Sequence, residues 1–233
     1  MRQIVLDTET TGLEPEQGHR VIEIGCVEVI DRRRTGKSYH QYIQPDRESD
    51  EGALEVHGIT SEFLADKPRF ADIAQEFIDF IGGAELVIHN APFDVGFLNH
   101  ELKLLEGLYQ PISKQCTILD TLILARQLHP GQRNSLDALC KRYEIDNSQR
   151  ELHGALLDAE ILSDVYLAMT GGQTTLSLVT EESSSNSGQH YQLDQDRAQL
   201  KIILSSKEEN RAHNTCLQTI NEQSDGGCVW LKN

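Results

Sequence analysis

Two acidic side chains interrupt a run otherwise suited to a protein core. In VLDTETTGL, Val5 to Leu13, the apolar residues Ile4, Val5 and Leu6 give way to Asp7, and Glu9 follows after one intervening residue. Alternate side chains of a strand share a face, so Asp7 and Glu9 point the same way. Like charges at that spacing repel strongly where water is scarce. The repulsion has three outlets: protonation of one carboxylate, a basic side chain between them, or a metal cation bound to both. No Lys or Arg lies between Arg2 and Arg20 to serve locally. A solvated strand end is the plain alternative. Hard oxygen ligands suit divalent cations, which makes further carboxylates the feature to seek.

Two more stand where sites collect. In PFDVGFLNHELKLLEG, Asp94 occupies the first turn of a helical run whose apolar stripe is Val95, Leu98, Leu102 and Leu105. It follows LVIHN, so it lies at a strand–turn–helix junction of an α/β pattern. Pro92 suits the first turn and Asn90 is placed to cap it. An acid there also favours a helix N-terminus on electrostatic grounds alone. In LHGALLDAEIL, Asp158 flanks the stripe Leu157, Ile161, Val165 and Ala168, which turns it toward the sheet margin. His153 precedes Asp158 by five residues. On one regular helix that separation would set the two side chains about 140° apart. They converge only if His153 lies in the turn before the helix, which Gly154 permits. Alone, His153 reads as an exposed loop histidine; beside four carboxylates it becomes a candidate for the site.

The elements that must position these residues are legible as periodicity. RQIVLDT, RVIEIGCVEVI and SYHQYIQ predict three strands, with short turn-rich links that suit antiparallel pairing. The period then switches. DIAQEFIDFI is helical, ELVIHN is a short buried strand, and SLDALCKRY and HGALLDAEILSDVYLAM are helical again. The pattern is that of an α/β protein, a mixed sheet flanked by helices.

Composition narrows the rest. A chain of 233 residues with 38% hydrophobic content suits one sizeable domain plus an extension. No apolar run is long enough to span a bilayer and no signal-peptide pattern opens the chain, so a cytoplasmic protein is expected. The five cysteines, Cys26, Cys116, Cys140, Cys216 and Cys228, include no C-x-x-C pair, which argues against a disulfide framework or a thiolate zinc site. The net charge of −16 excludes a protein that grips nucleic acid by bulk charge. Nucleic acid as a substrate stays open, provided a metal site, a few local contacts or a tethering partner supplies the hold.

LDTETTG with Asp7 and Glu9, HNAPFDVGFL with Asp94, and LHGALLDA with His153 and Asp158 together resemble the DEDDh exonuclease family, over residues 3–170 and in order. The resemblance implies a ribonuclease H-like fold, a mixed five-stranded sheet flanked by helices. It implies 3′–5′ removal of nucleotides as 5′-mononucleotides, with two divalent cations, Mg²⁺ or Mn²⁺, clamping an in-line phosphoryl displacement. By the family pattern Asp7 bridges the two ions, Glu9 and Asp158 complete one site, Asp94 serves the other, and His153 is the general base. On the substrate side the resemblance implies that His57 and Phe93 pack against the terminal nucleotide, that Asn90 lies close by, and that Thr8 and Leu13 line the cleft for the last base. EVHGIT, GQRNSLDALCKRYEID and the final GGCVWL are closer still to the family's proofreading members, which act on frayed DNA 3′ ends beside a replicative polymerase.

Beyond the pair Gly171 and Gly172 the sequence changes character. The expected organisation is an exonuclease domain over 1–172, a clamp-binding motif QTTLSL over 173–178, a Ser- and Gln-rich flexible linker over 179–196, and a small C-terminal docking segment over 197–233. In that segment AQLKIILS predicts a strand, Lys207 to Glu222 a helix and GGCVWL a second strand. The resemblance implies that the segment binds a polymerase (alpha) subunit, that Gln173, Leu176 and Leu178 contact a sliding clamp, and that a small accessory (theta) subunit can sit on the exonuclease domain. Two other readings remain on the sequence: an RNA-trimming exonuclease, disfavoured by the extension, and a non-catalytic adaptor, disfavoured because no carboxylate is missing.

Overall fold

The computed structural model describes residues 1–150, 152–171, 205–224 and 229–231. In chain order the elements are β1 (Arg2–Thr10), β2 (Val21–Ile30), β3 (Arg33–Tyr42), α1 (Glu51–His57), α2 (Ser61–Leu64), α3 (Phe70–Ile81), β4 (Glu85–Ile88), α4 (Ala91–Leu104), α5 (Ile112–Gln115), β5 (Thr117–Asp120), α6 (Thr121–Leu128), α7 (Leu136–Tyr143), α8 (Ala155–Thr170) and α9 (Lys207–Gln223).

The five strands form one sheet in the order β3-β2-β1-β4-β5. The three N-terminal strands pair antiparallel, as their short links require, and β4 and β5 add parallel to β1. Parallel pairing needs a crossover, which the helical stretches supply. Central β1 is buried on both faces. Ile4 and Leu6 join Phe70, Phe77, Phe97 and Leu98 in the core under α3 and α4. Val5 joins Val29, Val87, Leu162 and Tyr166 under α8. A third cluster, built on Ala125, Leu139, Cys140, Ile161 and Val165, joins α6, α7 and α8. The buried side of α8 is therefore broader than the stripe read from its sequence. Cys26, Cys116 and Cys140 are buried free thiols.

The register brings the C-terminal ends of β1, β4 and β5 to one edge. Leu6 pairs with Ile88, and Ile88 with Asp120. Asp120 then ties two helix starts together: its Oδ2 accepts from the Ala91 amide at 3.1 Å, and its Oδ1 from the amides of Leu122 and Ile123. The capping role expected of Asn90 thus falls to Asp120. Asn90 stands at the cap position of α4 in left-handed backbone, φ 67°, and its side chain makes no capping bond.

The described residues from 205 onward belong to a separate unit. There α9 starts in a capping box, Ser206 accepting from the Glu209 amide while the Glu209 carboxylate accepts from the Ser206 amide. The strand expected over GGCVWL is not formed by its described part: Val229–Leu231 is a single turn of 3₁₀ helix, too short to extend a ladder. Residues 198–204 of the other expected strand, the linker and Gln173–Leu178 lie outside the described residues.

Candidate active site

Each face of the sheet delivers one carboxylate to the end of β1. Asp7 and Glu9 project on the face that carries Val5 and α8. From that side comes Asp158, in the first turn of α8 and 2% exposed. The approach depends on Gly25, which pairs with Asp7 across the ladder. A Cβ at Gly25 would fall inside the backbone of Ala155 and Leu156. Glycine therefore lets the start of α8 rest directly on the sheet. From the other face comes Asp94, 3% exposed, in the first turn of α4. Its Oδ1 accepts from both the amide (3.1 Å) and the hydroxyl (2.7 Å) of Thr8. A register shift between Glu9 and Thr10 ends the regular pairing immediately beyond the two acids.

The five sequence-derived residues meet in one cleft of about 800 Å³ that also holds Thr8, Leu13, Asn90 and Phe93. Ligand atoms of Glu9, His153 and Asp158 lie within 4.8 Å of one another. His153 sits in the turn before α8, 44% exposed, with its amide bonded to the Val56 carbonyl at 3.1 Å. Gly154, in the helix cap position, is extended with φ −149°, so its special freedom is not what places His153. Next to the cleft, Leu13, Ala53, Val56, His57 and Phe93 line a more apolar hollow of about 460 Å³ against Thr8 and Glu9. His57 is buried, its Nδ1 accepts from the Ile59 amide, and its Nε2 has no partner among the described residues. Phe93 packs on Phe97 at 5.0 Å between ring centres, while Leu13 is 79% exposed.

The electrostatics match the repulsion expected at Asp7 and Glu9. Loss of water raises the Asp7 carboxyl well above its ordinary value, and Asp94, Glu9 and Asp158 push it further. Glu9 is raised to about 8, again by burial first and then by Asp158 and by Glu23, its partner across the strands. Burial raises Asp94 as well, against the two bonds from Thr8. Asp158 goes the other way. Burial alone would raise it, but the His153 and Arg150 side chains beside it hold it below the usual range.

Arg150 brings to the carboxylates the basic side chain that the sequence around Asp7 and Glu9 lacks. Its Nε and Nη2 grip both oxygens of Asp158, at 2.5 and 2.8 Å, and its Nη1 reaches Asp137 at 2.6 Å. The sequence concealed it because Arg150 is remote from Asp7 and Glu9 along the chain. The available signal was its position three residues before His153, where any turn that delivers the histidine also delivers the arginine. Arg126, exposed and lining the same cleft, was also missed. The donor set fits a hard divalent cation, with converging carboxylate oxygens, one imidazole and carboxyls whose mutual repulsion a cation would relieve.

An α/β sheet with an acidic cleft at the strand ends defines a broad class, and comparison with known proteins narrows it. The model of the Exonuclease family matches residues 4–166, and the chain belongs to that family. It is 52% identical to the DNA polymerase III subunit epsilon of Salmonella typhimurium, across 98% of this chain and 97% of that one. The protein of the same name from Escherichia coli K12 is 50% identical over the same shares, and that from Rickettsia felis 46% identical over 94% and 97%. Among solved structures, exonuclease X in complex with 5′ overhanging duplex DNA is 29% identical with a TM-score of 0.58, covering 73% of this chain and 94% of that one. E. coli exonuclease I with a dA16 oligonucleotide has a TM-score of 0.61 at 18% identity, covering 74% and 41%, a likeness of fold alone.

Proposed function

We propose that this exonuclease removes mispaired nucleotides from DNA 3′ ends, as 5′-mononucleotides, within a bacterial replicative DNA polymerase. The observation that carries the reading is the convergence of Asp7, Glu9, Asp94, Asp158 and His153 in one cleft, in a chain half identical to the epsilon subunits over nearly its full length. Asp7, Glu9, Asp94 and Asp158 would hold two divalent cations, Mg²⁺ or Mn²⁺. When bound, such cations supply Lewis-acid stabilisation of the charge that develops on the phosphate oxygens. The apolar hollow beside Glu9, with Thr8, Leu13, His57 and Phe93, suits the base and sugar of an unpaired terminal nucleotide, and Asn90 lies close by in the adjoining cleft. A 3′-mismatched DNA primer should be shortened with Mg²⁺ or Mn²⁺ and left intact in EDTA. Shortening in EDTA would refute the metal reading, and indifference to a 3′ end would refute the polarity.

His153 takes the proton of the attacking water. It stands at the cleft mouth, exposed enough to meet solvent and anchored through its backbone to Val56. His153→Ala should lower turnover by roughly 10²–10⁴-fold, the usual worth of acid–base catalysis. Calorimetric cation affinity should hardly move. If affinity collapsed and turnover recovered at saturating cation, His153 would be a ligand instead.

The unit beyond the exonuclease domain docks on a polymerase (alpha) subunit. No described residue of α9 is buried, and Trp230 is 85% exposed. Trp is a frequent anchor of interfaces. Gln173, Leu176 and Leu178 engage a sliding clamp, a reading that rests on their sequence; in an extended peptide the two leucines share a face. A small accessory (theta) subunit on the exonuclease domain completes the set. Truncation after Gly172 should keep single-strand exonuclease activity and lose co-purification with the polymerase and clamp. Retained co-purification would remove the docking role.

A further inference from the structure

We propose that Arg150 is a positioning residue that exchanges with the divalent cation on Asp158 and, while it holds that carboxylate, also occupies the ring nitrogen of His153. The inference rests on the reading of Glu9 and Asp158 as cation ligands. It concerns what those residues do before a cation arrives.

One guanidinium makes four bonds here. Nε meets Asp158 Oδ1 at 2.5 Å, Nη2 meets Asp158 Oδ2 at 2.8 Å and His153 Nδ1 at 2.9 Å, and Nη1 meets Asp137 Oδ1 at 2.6 Å. The Arg150 and Asp158 side chains are only 7% and 3% exposed. A fork-to-fork pair of this kind takes one in-plane lone pair from each carboxylate oxygen and brings a full positive charge against both. A divalent cation shared with Glu9 needs at least one of the same oxygens. Guanidinium and cation also repel at that range in a site short of water. The two therefore compete for Asp158.

Asp137 gives the arginine somewhere to stay. Its side chain is 63% exposed, it lies in the first turn of α7 on the rim of the cleft, and its Oδ1 also accepts from the Asn147 side-chain Nδ2 at 3.2 Å. Letting go of Asp158 need not cast the guanidinium loose, since the Nη1 bond can persist while the fork swings. Nη2 links this exchange to the base. As donor it requires the His153 Nδ1 lone pair, so that lone pair is engaged while Arg150 grips Asp158 and free once it leaves. Loading the cation and arming the histidine become one movement.

The experiment titrates Mn²⁺ alone, without DNA, into the full chain and its Arg150→Lys and Arg150→Gln variants, by calorimetry and by melting with and without the ion. Competition predicts that Arg150→Gln binds Mn²⁺ about tenfold tighter, equivalent to ~1.4 kcal/mol of competition removed. It should melt earlier in EDTA, and its gain in melting temperature on adding Mn²⁺ should widen. Arg150→Lys keeps the charge but not the fork, and should also bind more tightly than the unaltered chain. In that chain the Arg150 Nε–H signal, followed by ¹⁵N NMR, should be protected from solvent exchange in EDTA and lose protection on adding Mg²⁺. Unchanged or weaker Mn²⁺ affinity in both variants would mean a purely structural arginine and overturn the exchange. So would tightening confined to Arg150→Gln, which would reflect charge alone, or an Nε–H that stays protected with Mg²⁺. If the unaltered chain bound no Mn²⁺ at all, the cation reading itself would fall.

Discussion

Replacing Asp7 with alanine is expected to lower nuclease turnover by roughly 10³–10⁴-fold, taking several kcal/mol of charge stabilisation at about 1.36 kcal/mol per tenfold. The same change should not weaken the fold. Asp7 sits against Asp94, Glu9 and Asp158 in a site short of water, and each of these drives its carboxyl upward. Removing it relieves that strain in the protein without cation. At pH 8 in EDTA, Asp7→Ala should melt at the same temperature as the unaltered chain or a few degrees higher, on a scale of about 2–4 °C per kcal/mol for a domain of this size. With Mg²⁺ the order should reverse, because the variant has lost a ligand. Melting curves in the two buffers, with a primer-degradation assay, test all three statements. A variant that cleaves robustly, or that melts far below the parent in EDTA, would show that Asp7 serves the fold rather than a cation.

The second large effect is a stability that falls as pH rises. Glu9 is raised from 4.5 to about 8, and Asp7 and Asp94 are raised as well. The folded chain therefore keeps protons that the unfolded chain has released. Where the native state binds more protons, stability declines with pH. This contribution is complete below about pH 4.5 and is lost as pH climbs through about 8. Asp158, held low, acts at the acid end and leaves this window alone. His57 and His89 are pushed down by burial and work in the opposite sense, but only below their ordinary value near 6.5. The clean window is thus roughly pH 6.5 to 8, where Glu9 alone accounts for about 2 kcal/mol at ~1.36 kcal/mol per unit. In EDTA the melting temperature should drop by roughly 4–8 °C across it. Mg²⁺ or Mn²⁺ binds the ionised carboxylates, so it should raise the melting temperature more at pH 8 than at pH 6.5. A flat profile in EDTA, or an equal gain at both values, would contradict the electrostatics of the site.

Local order explains which parts were readable in the sequence. Strands β1 to β3 announce themselves because β1 and β2 are apolar and joined by short links. The helices α3, α4, α7 and α8 carry their own period. Asp7 and Glu9 stood out because a strand places them on one face with no intervening help. Strand β5 did not, since four residues, TILD, followed at once by a helix show no resolvable period. The capping of α4 was misassigned to Asn90 because the true acceptor, Asp120, arrives from a neighbouring strand rather than from the chain beside it. Arg150 was invisible for a similar reason. Its partners are brought to it by the packing of α8 and α7, and only the tertiary fold reveals that packing. The residues of the DEDDh pattern were legible because resemblance supplied the long-range pairing that periodicity lacks.

Gly25 has a consequence for tolerance. At that point strand and helix are spaced by a hydrogen atom, which works like a gauge block between two machined surfaces. Any larger side chain is a thicker shim. Non-bonded carbon atoms rest at about 3.5–4.0 Å, so even a methyl group would drive the start of α8 outward. Coordination distances for a bound cation hold only to about 0.2 Å. The shim would exceed that tolerance, while Val5, Leu162 and Tyr166 could settle again a little further apart. A lineage that drifted at this one position would keep its strands, its helices and all five polar groups, and would still be unable to close Asp158 onto Asp7 and Glu9.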